Sequence, residues 1–387
     1  MGTAHDLAEY LGRERRAMVG LLERLALAES PSSAPERQGE VLTVLSGALA
    51  GAGYRVRRLP GRLCGGHLYA APRGRPGPVQ LLLGHCDTVW PVGTVGEMPV
   101  EAGDGVVRGP GVYDMKGGLA QMVFALRALS ELGLEPPVAP VVFVNSDEEV
   151  GSRESTRHIR RLATVAERAF VMEPSLGLSG RLKTSRKGVG RFTVAVRGQA
   201  AHAGLDPGRG ASAILELSYQ IQALFALNDP ARGVTVNVGT IDGGLGPNVV
   251  APESRAVVDV RVPTHEDARR VEDSIFALRP VTPGAKVVVE GSMGRPPMEP
   301  TPRNRRLWER ARRLGHDLGL ELEEGAAGGA SDGNTTSLFT ATLDGLGAVG
   351  DGAHARHEFV YAERMLERCT LLALLVMEPP LGRGERP

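Results

Sequence analysis

The chain has 387 residues, 42% apolar and 23% charged, with 45 basic side chains against 45 acidic ones. That length accommodates two domains of ordinary globular composition. The even balance argues against a nucleic-acid or membrane-surface binder, which carries a one-sided charge. The three cysteines, Cys64, Cys86 and Cys369, are odd in number and lack CxxC spacing, which argues against a disulfide framework or a thiolate zinc site.

The opening "MGTAHDLAEYLGRERRAMVGLLERL" is charged and amphipathic, unlike a secretory leader. No run approaches about 18 uninterrupted apolar residues, so a cytoplasmic location is expected. Residues 79–84 read as a buried strand. The "MKGGLAQMVFALRALSELG" segment places Leu119, Met122, Val123, Leu126 and Leu129 on a helical stripe that stops at Gly133. Residues 140–145 and 168–174 are further buried strand runs. Strands alternating with helices predict a largely parallel sheet flanked by helices.

The pattern changes near Gly188. In "RFTVAVRG", Phe192, Val194 and Val196 alternate as in a half-buried strand. "ASAILELSYQIQALFAL" follows as a helix with Ile214, Leu217, Ile221 and Leu224 on its buried stripe. "GVTVNVGT" and "SRAVVDVRVP" are alternating strands, "HEDARRVEDSIFAL" an amphipathic helix and "AKVVVEG" a last strand. The order is β-α-β-β-α-β. Residues 188–294 thus read as an inserted ferredoxin-like domain, with 1–187 and 295–387 forming the main one. "NRRLWERARRLGHDLG" resumes helix, and "LDGLGAVGDGAHARHEFV" predicts a strand and a loop that rejoin the first sheet.

Several strand ends carry ligand-type residues. "VQLLLGHCDTVWP" delivers His85 and Asp87 to one side of a strand end, with Cys86 on the other. Asp114 precedes the glycines that open a helix. Asp147, Glu148 and Glu149 follow one buried strand directly, and Glu173 another. His354, His357 and Glu358 follow a Gly-rich stretch. Singly, each has a plain explanation: a satisfied His–Asp pair, a helix N-cap, a solvated turn. Together they sit where open α/β sheets bind ligands, at the carboxyl ends of the strands. Imidazole and carboxylate without thiolate suit Zn²⁺, Mn²⁺ or Co²⁺, and the number of carboxylates points to two ions sharing a bridge.

"GHCDTV", "GVYDMKGG", "SDEEVGS", "EPS", "AAHAG", "GGLGPNVVA", "GGASDGN" and "GAHARHEFV" resemble, in order and spacing, the M20 family of metallopeptidases, nearest its glutamate carboxypeptidase (carboxypeptidase G2-like) branch. The resemblance runs from about Gly84 to Phe359. It implies a catalytic domain holding two zinc ions and an inserted domain that makes a homodimer and caps the site. Carried across, His85 would bind one zinc and Asp114 would bridge both. Glu149 and Glu173 would serve one zinc each, and His354, four before Glu358, would complete the second. His357 falls outside the pattern and is expected at the surface. Asp87 would stand behind His85 as its orienting carboxylate, leaving Glu148 as general base.

His202 resembles the family's oxyanion donor, which the resemblance places in the partner subunit's site. Asn248, Arg261 and Arg295 match polar positions near the substrate carboxylate, where a guanidinium fork suits the ligand. Arg181, eight after Glu173, matches a basic position that would meet a γ-carboxylate. The expected activity is release of a C-terminal amino acid, with glutamate the candidate in this branch, from a peptide or N-acyl amino acid. The alternatives are a deacylase of the acetylornithine or succinyl-diaminopimelate type and a non-catalytic metal-retaining binding protein. The presence of Glu148 disfavours the latter. A two-metal phosphatase fits the ligands but not the inserted domain.

Overall fold

The computed structural model describes residues 2–74 and 77–381, which divide into two compact units. The first is built from the chain up to Thr184, Pro300–Ala326 and the chain from Ser331. The second comprises Ser185–Glu299 and Ala327–Ala330. The division falls at Ser185 and Glu299, where the sequence pattern puts it at 188 and 294. A bridge between Arg186 and Met298 extends the second unit beyond the regular alternation.

A six-stranded sheet forms the frame of the first unit, in the order Tyr54–Leu59, His67–Pro72, Ala139–Asn145, Val79–His85, Ala166–Val171, Ala341–Leu343. The last four are mutually parallel, and the first two join antiparallel. The central strands are apolar at nearly every position because both their faces are covered. Leu82, Val142 and Val144 point to one core, with the helices Gly117–Glu131 and Ala362–Met377. Leu81, Leu83, Val141 and Phe143 point to the other, with Ile159 of the helix Thr156–Val165. Successive side chains of one strand thus serve opposite layers.

The strand and loop expected over 343–360, rejoining the first sheet, are laid out differently. Ala341–Leu343 joins the main sheet beside Ala166–Val171. Gly350–Asp351 and Phe359–Tyr361 pair with each other, in a separate small sheet with Val106–Arg108 and Glu101–Gly103. The glycines at 345, 347, 350 and 352 leave little to hold a longer strand.

The second unit is a four-stranded antiparallel sheet, ordered Thr235–Gly243, Glu253–Val262, Gly188–Arg197, Lys286–Arg295, with the helices Ala213–Phe225 and His265–Phe276. Phe192, Val194 and Val196 face its core. The predicted stripe of the first helix is corrected at one position: Ile214 is 49% exposed, while Glu216 is fully buried. The helix is turned so that the Glu216 carboxylate accepts the amides of Val281 and Thr282. Among the described residues no helix is long and apolar enough to cross a membrane.

Candidate metal centre

Parallel pairing puts the carboxyl ends of the central strands on one edge. His85 stands opposite Asn145 and Leu83 opposite Val171, so His85, the segment after Asn145 and the segment after Val171 come level. Asp114 lies in the turn Val112–Lys116, just before the helix Gly117–Glu131. That helix starts tight against the sheet: a Cβ on Gly118 would lie 2.0 Å from the Met172 carbonyl oxygen, next to Glu173. His354 sits in the turn between the two last short strands with a left-handed φ of 60°, a region few non-glycine residues adopt.

These pieces bring five predicted residues together. His85 Nε2 is 3.3 Å from Asp114 Oδ1 and 3.5 Å from Glu173 Oε1. His354 Nε2 is 3.5 Å from Asp114 Oδ2 and 3.2 Å from Glu149 Oε2. Asp114 therefore turns one oxygen to each imidazole. Its Oδ1 and the Oε1 of Glu149 are buried and accept no hydrogen bond among the described residues. Buried carboxylate oxygens of this kind ordinarily have a partner, and a cation between the imidazoles would supply it. The donor set is nitrogen and oxygen, the chemistry of Zn²⁺, Co²⁺ or Mn²⁺, so the residues fit a metal pair.

The electrostatics agree. Burial lowers the His85 proton affinity, but the carboxylates of Asp114, Asp87 and Glu173 outweigh it and hold the ring well above the usual histidine range. Asp114 and Glu149 raise His354 to about 10. Burial pushes Asp114 up, yet the two imidazoles bring it far below an ordinary carboxylate. Glu149 is raised, by burial before all. The pocket has gathered negative charge that a proton or a metal ion must balance.

The supporting contacts are equally specific. His85 Nδ1 lies 3.0 Å from the main-chain carbonyl of Asp87 and 3.5 Å from its carboxylate. That carboxylate accepts the amides of Glu148 and Glu149, both at 3.1 Å, and the Ser32 hydroxyl at 2.7 Å. Asp87 thus sets the segment bearing both glutamates as well as standing beside His85. Glu358, buried, accepts the amides of Gly111, Tyr113 and Asp114 and the indole N–H of Trp90, at 2.9–3.0 Å. Asp332, from the "GGASDGN" stretch, accepts from Ser152 and Asn145 and pins the far end of the 146–155 segment. Sequence spacing marks Glu358 only as a companion of His354, and Ser32 has no sequence signal. His357 is exposed.

The remaining predicted residues have contacts within their own units. Arg181 closes a turn with Leu176 in the first unit, its Nε buried and without a hydrogen bond among the described residues. Within the second unit His202 is exposed, and its Nδ1 accepts the amides of Gly204 and Leu205, both at 3.1 Å. The ring proton therefore belongs on Nε2. His202 also bridges to Val249, and the Asn248 carbonyl accepts the Ala203 amide at 3.0 Å, so the two motif loops are joined. Arg261 forks onto Asp259 at 2.7 and 3.1 Å. Arg295 ends its strand opposite Val189.

The chain is similar to several known proteins. Carboxypeptidase G2 of Pseudomonas sp. (strain RS-16) is 27% identical over 379 residues, covering 96% of this chain and 91% of that protein. The succinyl-diaminopimelate desuccinylase of Xanthomonas campestris pv. campestris (strain 8004) is 28% identical over 309 residues, 75% of this chain and 81% of that one. The YXEP protein of Bacillus subtilis, described as a dinuclear metal binding peptidase from the M20 family, shares the fold. Its TM-score is 0.66 at 15% identity, over 94% of this chain and 98% of that one. The model of peptidase family M20/M25/M40 matches residues 81–378, and the chain belongs to that family of metallopeptidases.

Proposed function

We propose that the protein is a dizinc carboxypeptidase, cleaving an amide to release a C-terminal amino acid from a peptide or N-acyl amino acid. The observation that carries the reading is Asp114 standing between two imidazole–carboxylate pairs, with Glu148 next in the chain to Glu149. His85 and Glu173 would hold one ion, His354 and Glu149 the other, with Asp114 shared. When bound, such a pair acidifies water and polarises the scissile carbonyl.

Glu148 takes the attacking water's proton and passes it to the leaving nitrogen as the C–N bond breaks. The Asp87 carboxylate, through the two amides it accepts, holds Glu148 and Glu149 in register for these separate tasks. His202 donates from Nε2 to the carbonyl oxygen as it gains charge. Arg295, Asn248 and Arg261 meet the substrate's α-carboxylate, with Arg261 shared between that group and Asp259. Arg181 meets a side-chain carboxylate, which suits glutamate as the released residue.

The inserted unit is proposed to make a homodimer. Ile214, Leu215, Ile241 and Leu245 are each about half or more exposed, and Ile241 lies on the edge strand Thr235–Gly243. Exposed edges and apolar surface of this kind are covered in stable proteins. Three buried free thiols support a cytoplasmic location. The relatedness to a desuccinylase favours one second reading, deacylation of an N-acyl amino acid.

A panel of N-acyl amino acids and dipeptides, with free and amidated C-termini, decides between these. Amidation removes a charged hydrogen-bonding partner and is expected to lower transition-state binding by about 1.5–3 kcal/mol. Equal turnover of free and amidated peptides would make the enzyme an aminopeptidase. Preference for one small acyl group over any peptide would make it the deacylase.

A further inference from the structure

A second group of donors, distinct from the five residues above, converges behind the Glu148–Glu149 segment. Ligand atoms of Cys64, His67 and Asp147 lie within 4.8 Å of one another. The residues are only 8%, 1% and 3% exposed. Cys64 Sγ is 3.9 Å from His67 Nε2. His67 Nδ1 and Asp147 Oδ1 are buried and make no hydrogen bond among the described residues.

The backbone around them is firmly tied. The Glu154 carboxylate accepts the amides of Arg62, Leu63 and Cys64 at 2.7–3.1 Å. The other oxygen of Asp147 accepts the amides of Glu154 and Ser155 at 2.8 and 3.2 Å. Turn 62–64 and segment 147–155 are thereby stitched together, with a thiol, an imidazole and a carboxylate oxygen left against one another. Packing alone leaves two polar atoms unpaired in the interior, which native proteins avoid. A nucleophilic role for Cys64 needs access and thiolate character. The thiol has neither, since burial pushes it up to about 11.

We propose that Cys64, His67 and Asp147 form a third, structural metal site for a Zn²⁺-like divalent cation, tying the 62–67 turn to the segment that bears Glu148 and Glu149. Thiolate, imidazole and carboxylate together select a borderline-soft ion over Ca²⁺ or Mg²⁺. Three protein donors leave one tetrahedral position for water. Binding takes Cys64 as its thiolate and releases one proton to solvent. The cysteine count and spacing argue against a thiolate zinc site, an expectation this proposal departs from, because they weigh only on paired cysteines. Count and spacing are silent on a site that uses a single thiolate with His67 close by and Asp147 from a distant strand end.

The five-residue centre contains no sulfur, so a metal–thiolate signal reports this site alone. Zinc-loaded wild-type protein is expected to show, by X-ray absorption, a sulfur neighbour at about 2.3 Å from part of its zinc. Cobalt-loaded protein should show a near-ultraviolet thiolate charge-transfer band, lost in Cys64→Ser, weakened in His67→Ala and kept in Cys369→Ser. A wild-type protein with zinc bound but no sulfur neighbour overturns the proposal, whether or not the variants fold. So does a cobalt band that survives Cys64→Ser. Neither result bears on the Asp114 centre, whose metal would still appear with nitrogen and oxygen neighbours only.

Discussion

Glu149 reaches a centre imidazole, its Oε2 3.2 Å from His354 Nε2, and the proposal makes it a ligand and the adjacent Glu148 the base. Glu148→Gln is therefore expected to keep the metals and the fold while losing about 10²-fold or more in kcat. Glu149→Gln should lose metal instead. Metal analysis beside kinetics on both variants checks this, and a metal-poor Glu148 variant would reverse the two roles. Glu358 belongs to the same scale. Its two oxygens hold the Gly111–Asp114 turn by three amides, so Glu358→Gln puts an NH₂ against N–H donors and frees Asp114 to move. Metal affinity should fall about 10- to 100-fold, read by competition with a chromogenic chelator. His85, Glu149 and Glu173 were legible because each ends or follows a buried strand run, Asp114 because it precedes helix-opening glycines, and His354 because it follows a Gly-rich stretch. The target of the Asp87 carboxylate was not, because the amides it accepts lie 61 and 62 residues away.

At the scale of elements, strands whose apolar residues serve two layers announced themselves, and the helices between them likewise. The stripe through Ile214 failed for an identifiable reason. A helix's period states that one face is buried, but a charged residue with a distant partner can take a place on that face. Burial pushes Glu216 up, but the Thr282 and Val281 amides outweigh it and hold the carboxyl below its ordinary 4.5. A folded-state value below the unfolded one contributes stability above the ordinary value and loses it as pH falls through the lowered one. Glu216→Gln is expected to destabilise the second unit by about 1.5–3 kcal/mol at neutral pH. The gap to wild type should narrow as pH falls below 4.5. Urea midpoints at pH 7 and in mild acid measure it, and a gap equal at both would exclude the carboxylate as its source.

For the whole molecule, the inserted β-α-β-β-α-β block was visible from its order of elements. Its edges were not, since the bridge between Arg186 and Met298 breaks the alternation. If His202 serves the partner's centre, Glu148→Ala and His202→Ala homodimers should each be nearly inactive. Mixed after subunit exchange, they should regain about a quarter of wild-type activity, assuming random pairing and independent sites. Mixed dimers that form without any recovery would place His202 in its own chain's site.

The proposed ligands also fall in a telling order along the chain. His85, Asp114, Glu149 and Glu173 all precede the inserted unit, and His354 follows it. On the ribosome, where domains fold as they emerge, the chain presents its carboxylates and one imidazole first. It then completes a whole separate unit before the second imidazole exists. A nascent or prematurely terminated chain would hold a half-built, acid-rich pocket able to trap at most one ion. Filling of the proposed pair would thus be among the last events in making this protein.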